Sequence, residues 1–121
     1  MKGKLTCSDE CGMIFNDDFI KKLTELDKLF FILSKKGINI TSGPRCEKYN
    51  TIIRGAKNST HMEGIAADIA FENDTDLYNL IVSSICFGIK RIFIYYNAKF
   101  IHIDEGTKEM GYLTPIIKVI D

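Results

Sequence analysis

The stretch Ser59-Thr60-His61-Met62-Glu63-Gly64-Ile65-Ala66-Ala67-Asp68 decides how the rest of the chain is read. It starts in a polar, glycine-punctuated loop, Gly55 to Gly64, and runs into Ala66 to Phe71, which reads as a strand. Gly64 permits a sharp turn between His61 and Asp68, and Ala66 and Ala67 are small enough for close backbone packing. The other histidine of the chain, His102, lies in Phe100-Ile101-His102-Ile103-Asp104. Side chains alternate along a strand, so His102 and Asp104 share one face while Ile101 and Ile103 bury the other. Two imidazoles and a carboxylate leave a fourth tetrahedral position open for water, the ligand set of a catalytic zinc. Such an ion lowers the pKa of its water and polarises a substrate carbonyl. On composition alone, a lone histidine in a strand is more often a satisfied core or surface residue than a ligand.

Outward from this stretch, the remaining chain supplies a scaffold. Residues 1–15 show no periodicity and read as an N-terminal arm. Asn16 caps a helix with Asp17 and Asp18 in its positive first turn, and Phe15 and Ile20 are placed for a hydrophobic staple. Phe19, Leu23, Leu26, Phe30 and Leu33 recur at helical spacing, and Lys35-Lys36-Gly37 closes the helix. Ile38 to Thr41 alternates like a strand that Ser42-Gly43-Pro44 ends, and a short helix spans Cys46 to Arg54. Asn73-Asp74-Thr75 offers caps for a helix from about Asp76 to Phe87, ended by Gly88. Arg91 to Tyr96 and Phe100 to Asp104 read as a hairpin. Helices flanking one region of sheet make a single α+β domain over residues 1–121.

Composition narrows the function classes. Sixteen basic residues balance sixteen acidic ones, which argues against a nucleic-acid partner, since such proteins show a basic excess or stripe. No apolar run approaches the ~20 residues that cross a bilayer, and Met1-Lys2-Gly3-Lys4 is not followed by the apolar stretch of a signal peptide. A cytoplasmic, monomeric protein without a membrane partner is expected, one that reaches any extracellular target only after release. Cys7, Cys11, Cys46 and Cys86 lack the paired Cys-x2-Cys spacing of zinc sites and read as reduced thiols, a disulfide or a small accessory metal site.

Ser59 to Asp68 matches the pattern Ser-x-His-x-x-Gly-x-Ala-x-Asp, and with it the chain resembles the zinc D-alanyl-D-alanine carboxypeptidase family. That family includes phage peptidoglycan endopeptidases and shares its fold with lysostaphin-type enzymes and the hedgehog signalling domain. Ser42-Gly43-Pro44-Arg45-Cys46, Tyr49-Asn50, Gly55 to Ser59, Phe100 to Asp104 and the arm from Leu5 to Gly12 are similar to its small single-domain branch, so the likeness covers about residues 5 to 106.

The resemblance implies a small, mostly antiparallel sheet flanked by helices. It also implies Zn2+ held by His61, Asp68 and His102, and hydrolysis of peptidoglycan stem peptides. The bond is a terminal D-Ala–D-Ala linkage or an internal one. Arg45 then binds the substrate's carboxylate or steadies the reacting carbonyl, a task that suits its planar, permanently charged fork; otherwise it is a surface residue at a helix start. Ser59 donates to substrate or orders the loop.

Two positions depart from the family. Many relatives place the catalytic acid three residues before the second zinc histidine, where this chain has Lys99. Asp104 is the replacement expected to shuttle the proton; its other reading is to hold His102 in one tautomer. After His102, Tyr112 either closes the site or packs. With Lys99 in that place, the rival to an enzyme is a zinc-stabilised binding module of the same fold.

Overall fold

A computed structural model describes residues 1–8, 11–107 and 115–121 of the chain. Tyr112 lies outside them. The Asn16 side chain accepts the N–H groups of Asp18 and Phe19 at 3.0 and 3.2 Å and starts helix α1, Asp17–Ser34. The helix ends three residues before Gly37, because Lys35 itself takes the left-handed conformation and donates to the Phe31 carbonyl. Phe19, Leu23, Leu26 and Phe30 form its buried stripe, at the predicted spacing, whereas Leu33 is exposed. Short helix α2, Glu47–Ile52, lies inside the predicted Cys46 to Arg54. Helix α3, Asp74–Cys86, starts two residues earlier than the sequence suggests, with Asn73 as its cap.

Strands β1 (Lys2–Gly3), β2 (Asn39–Ser42), β3 (Ala66–Ala70), β4 (Arg91–Tyr95), β5 (Phe100–Asp104) and β6 (Ile116–Val119) form one sheet in the order β1-β2-β3-β5-β4-β6. The inner pairs are antiparallel, as expected, and the edge strands β1 and β6 pair in parallel. The N-terminal arm is therefore more structured than its lack of periodicity implied. Its Lys2–Gly3 joins the sheet, and Thr6 bridges Ile14. Backbone hydrogen bonds hold these contacts, and no side-chain pattern records them.

One face of the sheet builds the core. Ala67 and Ile69 of β3, Ile92 and Ile94 of β4, and Ile101 and Ile103 of β5 join the stripe of α1 and Leu80 of α3 in one apolar cluster. Each fully buried Leu or Ile stabilises the fold by roughly 1.5–3 kcal/mol relative to exposure. Strand alternation sends the neighbouring residues, among them Asp68, His102, Asp104, Arg91 and Phe93, to the face away from that cluster. None of the described helices is long and apolar enough to cross a membrane.

Candidate metal centre

The register of β3 against β5 sets Asp68 opposite His102 and Ala66 opposite Asp104. His61 reaches the same place from the other direction, on a 3-10 turn (Thr60–Glu63) in the segment expected to be plain loop. That turn starts at Ser59, whose hydroxyl accepts the His61 N–H at 3.2 Å, and ends at Gly64 in the left-handed region at φ 71°. A Cβ at Gly64 would lie 2.9 Å from the Asn16 nitrogen, so glycine is required there for shape as well as for conformation.

Asp68 is the hub. Its Oδ1 lies 2.8 Å from His102 Nδ1 and 3.3 Å from His61 Nε2. One donor atom from each of the three residues can be chosen so that all lie within 4.8 Å of one another. The far side of each ring is already engaged. His61 Nδ1 is 2.9 Å from the Gly43 carbonyl, and His102 Nε2 is 2.7 Å from Asp104 Oδ2. Both outer partners are acceptors, so with an ion bound these nitrogens would carry the protons and the inner nitrogens would turn their lone pairs to the metal beside Asp68. The donor set is the two-imidazole, one-carboxylate combination that suits zinc, and the residues present fit that ion.

Without the ion a proton serves. Burial pushes the His102 imidazole down, but its hydrogen bonds to Asp104 and Asp68 outweigh this and raise it to about 9. Burial likewise pushes the Asp68 carboxyl up, and the hydrogen bonds from His102 and His61 overcome it and hold it at about 2.

Asp104 is fully buried. Its Oδ2 takes His102 Nε2 and, at 3.1 Å, the Thr60 hydroxyl; its Oδ1 takes the Gly106 N–H at 2.8 Å and meets Arg91 Nε at the same distance. Burial raises its pKa, but His102 and Arg91 bring it below the ordinary carboxylate value. A carboxylate so enclosed is not placed to shuttle protons to a substrate. The geometry favours the other role read from the sequence, holding His102. Lys99 Nζ points instead toward the Glu72 carbonyl.

Arg45 is 8% exposed. Its guanidinium donates to Asn50 Oδ1 at 2.9 Å and Ser42 Oγ at 3.0 Å, its backbone N–H donates to the His61 carbonyl at 3.0 Å, and its buried Nε has no hydrogen-bond partner among the described residues. Burial lowers its pKa, opposed by the Asp68 charge nearby. It is therefore not the exposed residue at a helix start that the sequence also allowed. Ser59 Oγ accepts the His61 N–H, a contact that helps order the loop.

Four participants were not singled out from sequence. The Gly43 carbonyl carries no side-chain signal, and Thr60 is a variable position inside the motif. Phe93, stacked on His102 at 5.7 Å, and Arg91 were within reach: an antiparallel hairpin closed by Tyr96 to Lys99 puts them opposite His102 and Asp104.

Fold and donor set together describe a metal centre on the face of the sheet opposite its apolar core, as in a metallopeptidase. The family model described as Peptidase M15 matches residues 4–104, a span that contains every one of these side chains. The chain belongs to that family, whose peptidases are zinc-dependent. No match is found among curated proteins.

Proposed function

We propose that this protein hydrolyses an amide bond in the stem peptides of peptidoglycan, as a D-Ala–D-Ala carboxypeptidase or a phage-type endopeptidase. The observation that carries the reading is the convergence of His61 Nε2, His102 Nδ1 and Asp68 Oδ1 beside a buried arginine. Bound there, zinc polarises the scissile carbonyl and lowers the pKa of water. The Gly43 carbonyl and Asp104 fix the two imidazoles, so that the ligand atoms are oriented before the ion arrives. Ser42 and Asn50 fix the Arg45 fork beside Asp68, which supports a role in reading a substrate carboxylate or steadying the reacting carbonyl. In the net reaction a water oxygen bonds to the carbonyl carbon, the carbon–nitrogen bond breaks, and a water proton leaves with the amine. The substrate class comes from the family resemblance. Action as a monomer on the wall after release belongs to the same reading, and the balanced charge and the shortness of the apolar runs support the expectation of no nucleic-acid or membrane partner.

The test is digestion of purified peptidoglycan and of stem peptides with and without a terminal D-Ala–D-Ala, with mass spectrometry of the products. Chelated protein and His61→Ala are the controls. Release of D-alanine identifies the carboxypeptidase and internal cuts the endopeptidase; absence of metal-dependent cleavage refutes both. A second reading, a zinc-stabilised binding module, is favoured by Lys99 in the acid's usual place and by the enclosure of Asp104. It requires retained zinc and stem-peptide binding with no turnover.

A further inference from the structure

A second cluster of metal-binding atoms lies where the N-terminal arm crosses the loop after β2. The Sγ atoms of Cys7, Cys11 and Cys46 lie within 4.8 Å of one another, and Cys7 and Cys46 are 3.7 Å apart. No disulfide joins the described cysteines. A disulfide needs about 2.05 Å between sulfurs. Two thiolates on one tetrahedral zinc, each ~2.3 Å from the ion, stand about 3.8 Å apart. The Cys7–Cys46 distance matches that of two sulfurs sharing one ion, and Cys11 Sγ lies close enough to join them. Backbone N–H groups also point at the sulfurs, Cys46 N–H to Cys7 Sγ at 3.5 Å and Tyr49 N–H to Cys46 Sγ at 3.4 Å, the kind of support that thiolate ligands receive.

We propose that Cys7, Cys11 and Cys46 bind a second zinc ion, a structural one, as three thiolates. Binding releases the three thiol protons to solvent, and the exposed side of Cys11 leaves the fourth position to water. The ion pins the arm against the residue that follows Arg45. The arm is already pressed closely there, since a Cβ on Gly43 would lie 2.1 Å from the Lys4 carbonyl oxygen. Arg45 and the Gly43 carbonyl that holds His61 are then both backed by the clamp. The site is independent of the peptidase reading, because its ligands and those of the histidine centre share no residue.

The full-length chain, purified under reducing conditions and loaded with zinc, is expected to carry two equivalents. A thiol-directed mercurial should release one of them. Cys11→Ser, a change at an exposed position, should bind one equivalent and His61→Ala should also bind one. Cobalt in place of zinc should give thiolate-to-metal charge-transfer absorption that survives in His61→Ala and disappears in Cys11→Ser. The proposal is overturned if Cys11→Ser binds as much zinc as the parent chain, or if the cobalt form lacks thiolate absorption. It is also overturned if the unreduced mass is two hydrogens short and peptide mapping places the disulfide between Cys7 and Cys46. Loss of zinc from the histidine centre alone, with the thiolate signal intact, counts against the peptidase reading and not against this one.

Discussion

Stripping the ion from the histidine centre leaves His102 between two carboxylates, and the proton held there must appear in the pH dependence of folding. The imidazole is raised from 6.5 to about 9, because its hydrogen bonds to Asp104 and Asp68 exceed the cost of burial. At about 1.4 kcal/mol for each tenfold change in proton affinity, that gives roughly 3 to 4 kcal/mol of stability for the metal-free chain. The folded pKa lies above the unfolded one, so this contribution is complete below pH 6.5 and is lost as pH rises through 9. The low Asp68 value reports the same contact from its other end and is not added. Against a net stability of about 5–15 kcal/mol for a typical domain, the loss is large. Urea denaturation of chelated, reduced protein between pH 6 and 10 measures it. Asp104→Asn should flatten the slope, and the zinc-loaded protein should reverse it, because the ion competes with the proton. Stability that stays level or rises between pH 6.5 and 9 in the metal-free chain would refute the reasoning.

Asp104→Asn should also weaken zinc binding about 10- to 100-fold, measured by competition with a chromophoric chelator, since it removes the charge that orients His102. Arg45→Lys should lower kcat/KM roughly 10- to 100-fold on stem peptides while zinc content stays the same, because an ammonium cannot reproduce the fork between Asn50 and Ser42. Gly64→Ala should cost about 1–3 kcal/mol by chemical denaturation, through a left-handed backbone and a Cβ too close to Asn16.

The site was legible where chemistry rides on side chains in regular elements. His102 and Asp104 alternate with Ile101 and Ile103, so one reading of β5 gave both a core face and a functional face. Asn16 and the stripe from Phe19 to Phe30 gave α1 in the same way. What escaped was carried by the backbone or by distance along the chain. The parallel pairing of Lys2–Gly3 involves no patterned side chains, and the Gly43 carbonyl is invisible as a residue type. The left-handed Lys35 ended α1 before the glycine that signals such ends. Cys46 meets Cys7 from 39 residues away, a separation that no motif spacing describes.

The alternation along β5 also guards its own alignment. A slip of one residue would drive His102 and Asp104 into the apolar cluster, far from Asp68, Thr60 and Arg91, and turn Ile101 and Ile103 out to water. Burying an unpartnered charge costs several kcal/mol, on top of the apolar surface exposed. The ionisable side chains thus act as a proofreading device for strand pairing, and a chain that has mispaired this strand cannot hold the ion.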